Sequence, residues 1–145
     1  MEFRSKIDKF FIVFISITLF IIMAVFLIPL IFDSEKTIID VLIVLTLCIF
    51  SIAFILWTSF SIKYIFDTNT LLVKGGLFKT RIPYDDITKI TETTEIFTGY
   101  RVLASKDGLE IFYKKGILGS VKISPLEKER FLTELKKRCP NIIEN

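Results

Sequence analysis

Two stretches of this chain carry no charge: the 23 residues from Phe10 to Phe32 and the 22 from Val41 to Ile62. A helix rises about 1.5 Å per residue, so each run reaches roughly 33 Å and can cross a hydrocarbon core ~30 Å thick. A plainer reading makes them buried core helices. The remaining chain is too short to coat two helices that are apolar all round, so they read as transmembrane helices at 10–32 and 41–62. A secretory signal has a shorter apolar centre and a small-residue cleavage site. The first run ends Ile28-Pro29-Leu30-Ile31-Phe32 instead, and is expected to be kept.

Charge sets the expected orientation. The leader, 1–9, carries Arg4, Lys6 and Lys9, and the link, 33–40, sets Asp33, Glu35 and Asp40 against a single Lys36. Basic residues flanking spans stay on the cytoplasmic side. Both termini are therefore expected in the cytoplasm and the link outside, giving a cell-membrane protein with two spans. Trp57 and Tyr64 flank the inner end of the second span, as an interfacial belt or as ordinary packing. The spans hold no Asp, Glu, Lys or Arg, so nothing supports an ion path, and they read as an anchor.

From Lys63 to Asn145 the pattern becomes that of a small antiparallel β-domain. "KYIFDTNTLLVKGGLFKTRIPY" alternates strand formers with turn signals at Asp67–Thr70 and Gly75-Gly76, predicting a three-strand meander that Pro83 closes. Tyr84–Ile87 reads as a turn and "TKITETTE" as a fourth strand. A short strand "YRVLAS", an alternating strand "LEIFYKK" and a last strand "SVKIS" follow. At the end, "SPLEKERFLTELKKRCP" predicts a helix with Ser124 as N-cap, Pro125 at its first position and Glu127 completing a capping box. Leu126, Phe131, Leu132, Leu135 and Cys139 would form its buried face, covering the sheet.

Most catalytic chemistry is excluded. The chain has no histidine, which removes the usual triads and most zinc sites. Cys48 lies inside a span and Cys139 near the end, a spacing that suits neither a disulfide framework nor a metal site. Asp85-Asp86 sits in a turn, whereas a catalytic dyad needs acids converging from separate elements. Gly75-Gly76 lies between strands and lacks the Lys-Ser/Thr of a phosphate loop. No catalytic residue, cofactor or metal is expected, and a pI near 8.8 is too mild to suggest nucleic acid.

A strand meander followed by one helix is the order of the pleckstrin-homology fold. "LLVKGGLFKTRIPYDDITKITET", "LEIFYKKG" and "VKISPLEKERFLTELKKRCPNI" closely resemble the short bacterial pleckstrin-homology-like (YyaB-like) family over residues 64–143. Its most specific pieces here are Ile82-Pro83-Tyr84 with Asp86-Ile87, and Ile123-Ser124-Pro125 with Phe131 and Leu135. The resemblance implies a PH-like sheet or barrel with one C-terminal helix, often behind one or two membrane helices, and no assigned activity. Where the family has an arginine before the "LEIFY"-type strand, this chain has Gly108.

The expected architecture is thus a membrane-anchored α+β protein, and its partners are the bilayer plus a partner protein or an anionic lipid head group. Candidate contacts are Lys74, Lys79 and Arg81 on one hairpin and Lys114, Lys115 and Lys122 around another. A solvated basic face is the plainer reading of these six. The expected function is a non-enzymatic binding or scaffold module at the inner membrane face. The alternative is immunity to a secreted antimicrobial peptide.

Overall fold

The computed structural model describes residues 1–116 and 118–144. Helix α1 spans Lys9–Phe32 and helix α2 Ile38–Phe60, both long and apolar enough to cross a membrane. Within them only Ile15 and Cys48 are buried, so nearly all their apolar surface is left uncovered by the chain. Their hydroxyls turn back on the helix: Ser16, Thr18, Thr46 and Ser51 donate to the carbonyls four residues back. Thr37 and Asp40 form a reciprocal capping box, so α2 starts inside the segment read as link.

The leader holds the largest departure from expectation. Glu2–Arg4 is a strand, β1, paired antiparallel with β2 (Lys63–Phe66), which follows α2. Strands β3 (Thr70–Gly75) and β4 (Phe78–Pro83) complete a four-stranded sheet ordered β1-β2-β3-β4. A second sheet contains β5 (Ile87–Thr93), β6 (Arg101–Val102), β7 (Gly108–Tyr113), β8 (Ser120–Ile123) and β9 (Ile143–Glu144), ordered β6-β8-β7-β5-β9. Helix α3 (Lys128–Arg138) closes the core with Phe131, Leu132 and Leu135. The result is a PH-like domain behind two long apolar helices.

Phe3, from the leader, is buried against Phe66 and Phe131 at ring distances of 5.6 and 5.4 Å. Next to it is a polar knot. The fully buried Tyr64 donates its hydroxyl to Val102 O (2.6 Å), accepts from Ser124 N (3.0 Å) and lies 3.2 Å from Ser5 Oγ. Tyr64 is therefore a core residue, and of the two aromatics only Trp57 stays exposed.

The same knot overturns the expected capping box of α3. Ser124 Oγ accepts from Ala104 N at 3.0 Å and sits 2.9 Å from Ser5 Oγ, and Leu126 N donates to Arg4 O. With those groups engaged by the leader, the chain turns into the helix only at Lys128, and Glu127 caps without a side-chain bond. Leu126 falls outside the helix and is 62% exposed, while Phe131, Leu132, Leu135 and Cys139 are buried as expected.

Asp8 extends the clasp. It caps α1 through Phe11 N and accepts from Lys106 N (2.7 Å) and Ser105 Oγ (3.2 Å). Burial alone would raise its pKa, but these three bonds outweigh that and lower it. Asp107, held by Lys128 and Lys6, is lowered too.

Two outcomes follow. Phe3→Ala removes an aromatic from the centre of the core and should cost about 3–5 kcal/mol in chemical denaturation; a chain of residues 63–145 alone should lose its cooperative transition. A depressed carboxyl pKa contributes stability above the unfolded value that is lost as pH falls through the folded one. Stability should therefore drop from about pH 4 downwards, and less steeply in Asp8→Asn.

Candidate functional site

Both helices leave the domain from one end of the first sheet, and a row of cations crosses that end. Arg4 is opposite Lys63, Lys63 opposite Lys74, and Lys74 opposite Lys79. Facing residues of neighbouring strands share a sheet face with Cβ atoms ~5 Å apart. Val73 and Leu71 fill the core side, so the four cations project outward. Lys63 reaches Glu2 at 2.8 Å; Arg4, Lys74 and Lys79 are exposed. Arg81 continues the face two residues along β4, opposite Leu72. Like charges directly opposed destabilise a sheet, so the row costs stability as an isolated feature.

The β3–β4 turn fixes this end against α2. Gly76 sits at φ +55°, and a side chain there would meet Thr58 of α2 at 2.7 Å. Its amide donates to Ser61 Oγ at 3.1 Å. Only glycine permits both the left-handed backbone and this approach.

Beside the turn a cavity of about 530 Å³ opens between the helix roots and the β-domain. Phe10, Phe11 and Phe14 of α1 line one wall, with Thr58 and Ser59 of α2. Phe78, Phe97, Tyr100 and Leu118 of the β-domain line the other. Phe10 and Phe97 meet edge to face at 6.2 Å across it, and Tyr100 is anchored by Thr80 at 2.7 Å. Leu77, Phe78, Phe97 and Leu118 are each 63–69% exposed, a cluster of apolar loop tips unsuited to water. Cations flank the opening: Arg101 is exposed with Nη1 on Ile96 O at 2.9 Å, and Lys106 Nζ stands 3.9 Å from the Phe10 ring centre.

A family model described as bacterial PH domain matches residues 62–139. The chain belongs to the bacterial PH domain family. It is 35% identical over 89 residues to the uncharacterized protein YyaB of Bacillus subtilis (strain 168), covering 61% of this chain and 60% of that relative. The chain thus matches less than two thirds of the length of this curated relative. No solved structure matches.

Within this PH-like domain the six expected contact residues do not form one site. Lys74, Lys79 and Arg81 share the outer face of the first sheet. Lys114 and Lys115 lie near the opposite end of β4: Lys114 N donates to Asp86 O, and Lys115 Nζ is 3.6 Å from Asp86 Oδ2. Lys122 departs from expectation altogether. It is 3% exposed and donates to Glu95 O (2.9 Å) and Thr98 Oγ1 (3.0 Å), tying the β5–β6 loop to β8. Arg101 pairs beside it in the sheet, which places β8's outward lysine under that loop.

Asp85 is exposed and Asp86 buried, so the two acids do not face a common space. Among the described residues no cluster of His, Cys, Asp or Glu could hold a metal. Burial pushes the Cys139 thiol up to about 11, with Asp85 adding to the rise, the reverse of an activated nucleophile. Arg4 and Lys63 were missed as site residues because they flank the membrane runs and only strand pairing joins them to Lys74. The cavity had no local signal, since its walls come from five separate segments.

Lys122→Met should leave the fold intact but release the loop. Amide exchange over residues 95–99 should quicken, with a stability loss of about 1–3 kcal/mol for the lost buried bonds.

Proposed function

We propose that this chain is a non-enzymatic binding module, anchored by two membrane spans with both termini cytoplasmic, whose basic row engages anionic head groups of the inner leaflet. The observation that carries this reading is the Arg4-Lys63-Lys74-Lys79 row at the end from which both helices leave. The pairing of β1 with β2 supports the orientation, because it holds the leader and the β-domain together on one side of the hairpin. Positive-inside bias then favours the cytoplasm for that side.

A row of four cations is repulsive in water. Beside an anionic leaflet each gains about 1 kcal/mol, within a Debye length of ~10 Å at 0.1 M salt. Lys63 lies three residues beyond the last residue of α2 and Arg4 five before the first of α1, so both stand near the ends of the spans. Lys74, Lys79 and Arg81 are the head-group residues in this reading. Lys114 and Lys115, near the opposite end of β4, are left for solvent or a protein partner.

The test uses the full chain in nanodiscs of zwitterionic or anionic phospholipid. The wild type should melt at higher temperature in anionic discs, and salt should erode the gain. The combined variant Arg4→Gln, Lys74→Gln, Lys79→Gln should lose about 1 kcal/mol of that gain per charge, while matching or exceeding the wild type in neutral discs. A wild type indifferent to lipid charge would sink the proposal and leave the row to an acidic partner protein.

A further inference from the structure

The cavity at the helix roots is a different feature from the basic row, on other residues. We infer that it holds one acyl chain of an anionic phospholipid drawn from the surrounding bilayer. The inference rests on reading α1 and α2 as membrane spans, but does not need the basic row.

Three observations carry it. The first is continuity. Phe10 and Phe14 are one helical turn apart on α1, stacked at 6.5 Å between ring centres, and both line the cavity. Phe14 is also 49% exposed on the surface that would face lipid. A chain sliding along α1 enters the cavity without crossing water.

The second is the lining and size. About 530 Å³ falls within the ~300–1,000 Å³ of ordinary ligand pockets. Its walls are mainly aromatic and aliphatic, and such a space does not hold ordered water unless polar groups converge on it. Left empty, it forfeits the dispersion contacts of Phe10, Phe11, Phe78, Phe97 and Leu118 together. Hydrocarbon is the solvent at hand that restores them, and the Thr58 hydroxyl on α2 needs nothing from it. Thr58 Oγ1 already donates to the carbonyls of Phe54 and Ile55.

The third is charge complementarity at the opening. Lipid tails are as apolar as the pocket, so a bulk chain gains little by exchanging one environment for the other. Selection must come from the head group. Arg101 keeps guanidinium nitrogens beyond the one bonded to Ile96 O, and Lys106 projects its ammonium over Phe10. Both suit a phosphate or an anionic head group whose tail lies below them.

Native mass spectrometry of the full chain, released from nanodiscs with equal anionic and zwitterionic phospholipid, reads this directly. The wild type should carry one phospholipid, predominantly anionic. Ser59→Trp fills the space from α2 and should lower the lipid-bound fraction about tenfold; Leu118→Trp fills it from an exposed loop and serves if the first variant fails to melt cooperatively. Arg101→Gln with Lys106→Gln should keep a lipid but lose the preference for anionic ones. Neutralising Lys114 and Lys115, near Asp86 at the opposite end of β4, should leave the lipid-bound fraction as in the wild type. A wild type that enters discs but emerges without lipid overturns the inference and leaves the spans standing. So does undiminished binding in a folded, filled variant. A chain that never enters discs defeats the span reading and this inference with it.

Discussion

The structure depends on a strand that lies on the wrong side of the two long helices. β1 precedes both long helices, yet completes the sheet that follows them, packing Phe3 against the touching pair Phe66 and Phe131. Without it, β2 would present an unpaired edge beside the most aromatic part of the core. The Tyr64 hydroxyl locks the arrangement because it serves three chain segments at once: leader, β6 and the entry to α3. A buried hydroxyl with all its partners present specifies one arrangement; with any removed, a buried polar group is left unsatisfied. The β-domain and the leader that precedes the helices are therefore one folding unit, even though the family match begins only at residue 62.

This has an electrostatic consequence. A sheet with β1 at its edge places Arg4 in line with Lys63, Lys74 and Lys79, and those four positions belong to segments separated by as many as 75 residues of chain. Nothing in the domain neutralises the row beyond the single Glu2–Lys63 pair among the described residues. Elsewhere the same chain pairs its charges closely: Lys6, Lys128, Asp107 and Glu92 form one network, and Arg138 bonds Glu134 while covering Phe66 and Tyr84. The contrast separates cations used to hold the fold from cations left facing outward at the helix roots.

Much of the architecture was legible because it rests on local signals. The charge-free runs, the Asp67–Thr70 and Gly75-Gly76 turns, the alternation in "LEIFYKK" and the apolar face of α3 all act within a few residues. What sequence reading missed came from long-range competition. Ser124 has the spacing of an N-cap, but its hydroxyl and the next amides are claimed by Ser5, Ala104 and Arg4. Tyr64 has the position of a belt aromatic, yet the β1 segment buries it. Lys122 alternates outward along β8 as expected, and a loop that no periodicity announces folds over it. In each case the local preference was real and a tertiary partner outbid it.

The cavity follows from the same geometry. Two helices packed side by side must both join a sheet domain within a few residues, through Asp8 at the foot of α1 and Ser61 at the foot of α2. The β3–β4 turn fills the space beneath α2 because Gly76 has no side chain to hold it away from Thr58. Beneath α1 the contact is made differently: the β5–β6 loop, pinned below by Lys122, reaches up with Phe97 to touch Phe10 at its edge. A loop held at its base by Lys122 and meeting α1 through Phe97 borders the room between them. Releasing Lys122 would alter the cavity without touching its lining, so this buried lysine, one of the six expected surface contacts, bears on the space through the position of Phe97.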